Sequence, residues 1–271
     1  MIVELFGPPG VGKTTFASAL AAYLREHGQA VDPVMSYRPA EQAPASAIPA
    51  RKHRQSIASV QRLARPAAEM LATAGYLFGH PNDFMATTEL MRLLPTRNLV
   101  WSVRLRQYLF RLFHAWNIAA SSPHVVLFDQ AFVQAVCSLA LLARVPGGAR
   151  IGRALDIIPD ADLLIQLDAP RDILAARLGK RQQHQGRVER LLELDLQTNL
   201  ASVEIIDDLQ ALLRARGRPV TLLGCADQPT RQAGLAKAGA DILARLEAKR
   251  AAQSSYECQT AKQTTKRPQH A

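Results

Sequence analysis

Short apolar runs recur along the chain at Ile2 to Phe6, Val31 to Met35, Val125 to Phe128, Leu163 to Leu167 and Val220 to Leu223, with stretches of helical period between them. Each run has the length of a strand, and most are followed by a glycine, a proline or a polar break before a helix-period segment begins. Strands that are apolar throughout are buried on both faces, which is the condition of a parallel sheet covered by helices. The pattern predicts an α/β fold.

The rhythm breaks once. Between Pro39 and Pro123 no strand run is evident, and after a Pro- and Ala-rich loop from Pro39 to Pro49 the chain reads as several helices. A crossover this long is an insertion, and insertions at the carboxyl ends of strands shape the ligand crevice of such sheets. The expectation is one domain over residues 1–248, enlarged by a helical, substrate-side insertion over 39–123. That insertion is rich in arginine, including Arg51, Arg54, Arg62, Arg92, Arg97, Arg104, Arg106 and Arg111, most of which read as solvated helix faces. Beyond Lys249 the chain turns polar and weakly patterned, so residues 249–271 are expected to form a disordered basic tail.

Composition narrows the function classes. No stretch approaches the roughly 18 uninterrupted apolar residues of a spanning helix. The first strand starts straight after Met1 and leaves no room for a signal peptide, so a cytoplasmic protein without a membrane partner is expected. Cys137, Cys225 and Cys258 are far apart, odd in number and lack Cys-x-x-Cys spacing, which points to reduced thiols rather than to disulfides or zinc. The net charge of +10 favours anionic partners, and nucleotide phosphates satisfy it as well as nucleic acid does. Aromatic residues make up 6% of the chain and do not interleave with basic ones, so no stacking platform is evident and nucleic acid ranks last among partners.

The most specific chemistry lies at the start. Gly7, Pro8, Pro9, Gly10, Val11, Gly12, Lys13 and Thr14 match Gly-x4-Gly-Lys-[Ser/Thr], between a strand and a helix-period segment from Thr14 to His27. Glycines let consecutive N–H groups turn inward toward phosphates, and the helix N-terminus adds a favourable dipole. With Thr15 behind it, this loop is the candidate site for ATP. Lys13 is placed to reach the β and γ phosphates, and the Thr14 hydroxyl to ligate Mg2+.

A second acid is needed across the metal, and Asp129, directly after the run ending at Phe128, is the candidate. The competing reading is an aspartate that caps a helix starting at Gln130. After the strand run ending at Leu167, Arg171, Arg177, Lys180 and Arg181 precede a loop from Gln182 to Gly186. Cations gathered there suit a closing lid, and Arg177 and Arg181 are the lid candidates.

This order of parts resembles the P-loop nucleoside and nucleotide kinases, most closely the thymidylate kinase-like group. The resemblance spans most of Met1 to Leu246. Tyr37-Arg38-Pro39 is similar to that family's Arg-Glu-Pro segment, which places Arg38 near the acceptor. The helix before the third strand is similar to one carrying a further acceptor-site arginine, a place that Arg106 or Arg104 would hold. Pro219 to Ala226 resembles the last strand and the loop that cradles adenine. The resemblance implies a parallel five-stranded P-loop NTPase sheet and ATP with Mg2+ as cofactors.

One departure bears on specificity. The family follows its strand-end Asp with Arg, whereas Gln130 stands here, and an amide pairs with hydroxyls or a base edge rather than with a phosphate. Gln134, one turn on, is open between lining that pocket and lying on helix surface. The function expected is an ATP-dependent phosphotransferase acting on a nucleotide, nucleoside or similar small phosphoryl acceptor. The alternative is a nucleotide-gated regulatory NTPase, which the absence of Asn-Lys-x-Asp and of an Asp-Glu pair at Asp129 disfavours. A homodimer stays open as an option.

Overall fold

The structure is a computed structural model that describes residues 1–35, 80–96, 98–143, 148–183 and 196–264; the side chains of residues 181, 182, 196 and 253–264 lie outside the description. Five strands are described: β1 (Ile2–Phe6), β2 (Val31–Val34), β3 (Val125–Phe128), β4 (Leu163–Asp168) and β5 (Val220–Gly224). Among the described residues eight helices join and flank them: α1 (Lys13–Glu26), α2 (Pro81–Leu93), α3 (Leu99–Ser121), α4 (Phe132–Ala143), α5 (Ala149–Ile157), α6 (Arg171–Gln183), α7 (Leu196–Ala215) and α8 (Gln228–Thr264).

The strands form one sheet in the order β2-β3-β1-β4-β5, and every pairing is parallel. This is the α/β architecture the apolar runs predict. β1, β3 and β4 lie inside the sheet and are buried almost throughout, which is why they read as continuous apolar runs rather than alternating ones. β2 carries Pro33 and an exposed Asp32. Both are tolerated because it is an edge strand, where a missing N–H breaks no ladder.

Successive side chains of β1 point to opposite faces. Val3 and Leu5 join a core with Phe16, Leu20 and Leu24 of α1, Leu174 and Leu178 of α6, and Ala238 and Ile242 of α8. Ile2 and Phe6 join the other core, built from α2, α3, α4, α5 and α7. α3 is fastened there by aromatic rings: Trp116 lies 5.2 Å from Phe128 and 5.3 Å from Phe132, and Phe113 lies 4.6 Å from Phe132. The carboxyl ends of β1 and β3, and the loops that follow them, are thereby fixed from both sides.

The helices α2 and α3 fall in the insertion the sequence predicts, and residues 36–79 of that insertion lie outside the described residues. α8 continues past Lys249 to Thr264, into the stretch the composition gives as a tail. Between Ala240 and Arg267 there is no glycine or proline, so nothing in that stretch breaks the helix that Ala238 and Ile242 anchor in the core. Among the described residues no helix is long and apolar enough to cross a membrane.

Candidate functional site

The loop from Gly7 to Gly12 passes from the end of β1 into α1, and its shape depends on two glycines for different reasons. A Cβ at Gly7 would run into the carbonyl oxygen of Leu167 in β4, so only a residue without one lets the loop leave between the two strands. Gly12, the N-cap of α1, holds φ 100°, the left-handed region that glycine enters at no cost. No side chain caps α1, and no acidic residue stands in its first turn. The helix therefore turns uncapped N–H groups and the positive end of its dipole toward the loop, the arrangement that receives an anion.

Lys13 is buried, and its Nζ donates to the carbonyl oxygens of Gly7 at 2.7 Å and Pro8 at 3.2 Å. The ammonium thus lies folded onto the loop it belongs to. Neutral carbonyl groups are weaker partners than phosphate oxygens, so a bound triphosphate is a favourable exchange for it.

Thr14 and Asp129 meet across the end of the sheet. The Thr14 hydroxyl donates to Oδ2 of Asp129 at 2.6 Å, and Asp129 is fully buried, with its backbone N–H donating to Val34 at 3.3 Å. The helix that follows is capped by Glu4. That helix, α4, begins at Phe132, and its first amides belong to another carboxylate: Oε1 of Glu4 accepts from the N–H of Val133 at 2.6 Å and of Gln134 at 3.4 Å. Gln134 is buried, and its Oε1 in turn accepts the N–H of Gly7 at 3.2 Å. The chain of contacts runs from β1 through the start of α4 to the first residue of the phosphate loop.

Glu4 escapes the motif-based reading. Its only mark in the sequence is that it is the single charged residue in an otherwise apolar strand. It is 1% exposed, and burial pushes its carboxyl up from 4.5 to about 8 against the opposing pull of the backbone N–H groups of α4. A carboxyl that holds its proton more tightly in the folded chain contributes stability that is whole below about pH 4.5 and is lost as the pH climbs through 8. Glu4→Gln keeps an oxygen for Val133 and removes the titration. Between pH 6 and pH 9 the parent chain is expected to lose about 2–3 kcal/mol that the variant keeps, read as the difference in Tm between the two across that range. Parallel pH profiles would show that Glu4 titrates as an exposed acid does.

The other predicted residues are placed as follows. Gln130 is half-buried directly after Asp129, and Thr15 is exposed on α1. Arg177 of α6 donates to the carbonyl oxygens of Val11 at 3.3 Å, Cys225 at 2.9 Å and Ala226 at 2.7 Å, so it ties the phosphate loop to the turn after β5. Arg181 lies in α6 with its side chain outside the description, and Arg38 lies outside the described residues. Arg106 is exposed on α3 and lines a groove of about 440 Å³ with Thr88, Arg92, Thr96 and Ser102; that groove includes no residue of the phosphate loop. The structure therefore brings Gly7, Lys13, Thr14, Asp129 and Gln134 together. Cys137, buried in α4, is a core residue whose thiol burial pushes up to about 12.

No family model and no curated protein sequence matches the chain. Among solved structures, a deoxyadenosine kinase from M. mycoides with bound dATP is similar over 91% of this chain and 100% of that one, at 13% identity and a TM-score of 0.46. The same kinase with the products dCMP and a flexible dCDP bound is similar over 92% and 100%, at 12% identity and a TM-score of 0.42. Likeness at this level carries no argument about substrate or activity. The fold rests on the strand order and pairing, and the site on the contacts given above.

Proposed function

We propose that the chain is an ATP-dependent phosphotransferase that moves the γ-phosphoryl group of ATP to a small acceptor. The observation that carries this reading is the meeting of Thr14 Oγ1 and Asp129 Oδ2 at 2.6 Å, beside a loop that holds Lys13 buried within it. Thr14 and Asp129 offer adjacent hard oxygen donors of the kind Mg2+ takes, and they would hold the ion. When bound, Mg2+ supplies charge neutralisation at the β and γ phosphate oxygens.

The remaining chemistry is positioning. An acceptor oxygen forms a bond to the γ-phosphorus in line as the bond from that phosphorus to the β,γ-bridging oxygen breaks, and ADP leaves. The hydroxyl proton passes to a base, for which Asp129 is the carboxylate in place. Lys13 and the uncapped N-terminus of α1 stabilise charge on the phosphate oxygens, and Arg181 with the segment that follows α6 would supply the lid. Arg177, through its carbonyl contacts, would set the nucleotide end by holding the phosphate loop against the turn after β5, the turn proposed for adenine.

The order of parts supports a thymidylate kinase-like arrangement, with Gln130 where that arrangement carries an arginine. An amide favours a neutral acceptor over one that already bears a phosphate. The test is transfer of label from γ-labelled ATP with Mg2+ to nucleosides, nucleoside monophosphates and small alcohols. A labelled product from one acceptor class is expected. ATP binding without a labelled product from any of them would favour the nucleotide-gated regulator instead.

A further inference from the structure

The phosphate loop is tied at both of its ends to one short piece of chain. At its far end the Thr14 hydroxyl donates to Asp129 at 2.6 Å, and at its near end the buried N–H of Gly7 donates to Oε1 of Gln134 at 3.2 Å. Asp129 directly follows β3, and Gln134 lies in the first turn of α4. A third tie runs within the loop, from Nζ of Lys13 to the Gly7 carbonyl oxygen at 2.7 Å. Gly7 is thus held on both sides, its N–H from α4 and its carbonyl from Lys13.

Gln134 stands apart from its own helix. It is 7% exposed, and every other buried residue of α4 belongs to the apolar core. A buried amide costs free energy unless it is hydrogen-bonded, and a helix that had only to pack would carry an apolar side chain there. The backbone that bears it is itself fixed, because Oε1 of Glu4 accepts from the N–H groups of Val133 at 2.6 Å and Gln134 at 3.4 Å. The side chain therefore reaches the loop from a rigid base.

We propose that Gln134 is a positioning residue for ATP, which holds the first residue of the phosphate loop from α4 and keeps the empty loop in the shape that receives the triphosphate. This rests on the phosphate-loop part of the phosphotransferase reading and deepens it. When phosphates enter, Lys13 exchanges the Gly7 carbonyl for their oxygens, and Thr14 offers its oxygen to Mg2+. The bond between Gly7 and Gln134 engages neither, so it is the tie that persists. Through it the loop shares one frame with Asp129.

Gln134→Met tests it, since it removes the accepting oxygen and keeps an unbranched side chain of similar length. Kd for MgATP by titration calorimetry is expected to rise about 10-fold, because the Gly7 N–H loses this partner and only about a tenth of the empty loops keep the receptive shape. In stopped-flow binding of N-methylanthraniloyl-ATP with Mg2+, that rise is expected in the association rate, with dissociation held within about two-fold. Gln134→Asn draws the amide back by one methylene and is expected to act in the same direction, and it decides the matter should the Met variant not fold. Ser138→Ala deletes a bond within the same helix, from Ser138 Oγ to the Gln134 carbonyl at 3.0 Å, and is expected to leave ATP affinity within about two-fold.

Unchanged affinity in the Gln134 variant overturns the assignment. So does a fall in the number of binding sites at unchanged Kd, the mark of a residue that serves packing alone, or an equal loss in Ser138→Ala. Faster dissociation at an unchanged association rate would make Gln134 a direct contact of ATP and overturns the positioning role. A parent chain that binds no MgATP overturns the phosphate-loop reading itself, a result distinct from binding that the Gln134 variants leave untouched.

Discussion

Lys13→Ala is expected to abolish measurable binding of MgATP. The ammonium is buried against the phosphate loop on the Gly7 and Pro8 carbonyl oxygens, and no other residue from Gly7 to Thr14 carries a positive charge that could replace its bonds to the β and γ oxygens. Losing them is expected to cost about 3 kcal/mol or more, a weakening of more than about 100-fold, with turnover falling further because the charge acts most strongly as the phosphoryl group transfers. The substitution also removes the bonds to the Gly7 and Pro8 carbonyl groups, so a second variant separates charge from shape. Lys13→Met preserves most of the buried stem and should lose binding to the same extent. Titration calorimetry with ATP and Mg2+ decides it: full affinity in both variants would remove the phosphate-loop assignment and the proposed activity with it.

Asp129→Asn is expected to leave the fold standing and lower kcat by about 10²- to 10³-fold. The amide oxygen still accepts from the Thr14 hydroxyl, so the 2.6 Å contact survives, while the negative charge that would hold the metal and the base that would take the acceptor's proton are both lost. The signature is in the metal dependence. For the parent chain, chelating Mg2+ should weaken ATP binding and stop transfer; for the variant, ATP affinity should be nearly the same with and without Mg2+. Wild-type turnover at ordinary Mg2+ concentrations would show that the carboxylate serves only to position Thr14.

What the sequence disclosed and what it hid follow from the range over which each signal acts. The five strands were legible because strands buried on both faces leave no polar position to blur the run, and the phosphate loop was legible because all its parts lie within eight consecutive residues. Gln134 was recognisable as a candidate but not in its role, because the Gly7 N–H it accepts is 127 positions away. Glu4 gave no motif at all. A lone carboxylate in an apolar strand is silent until the fold brings the start of α4 against it, and only then does it become the cap that Asp129 was weighed for. For Arg106 the helix period says which residues share a face, not which face turns toward the phosphates; in the folded chain it lines a groove with α2 residues. The length of α8 was hidden because polar composition reports what can be buried, whereas a helix already anchored by Ala238 and Ile242 runs on where no glycine or proline breaks it.

The three bonds of Arg177 reach oxygen atoms of the main chain at Val11, Cys225 and Ala226. A peptide carbonyl is present whatever side chain its residue bears. Lineages can therefore change the side chains at positions 11, 225 and 226, and the guanidinium will continue to join the two turns as long as the backbone keeps its course. A joint of this kind is inherited as shape and leaves little trace in spelling, so distant descendants of one ancestor could keep it after any family signature in their letters had faded.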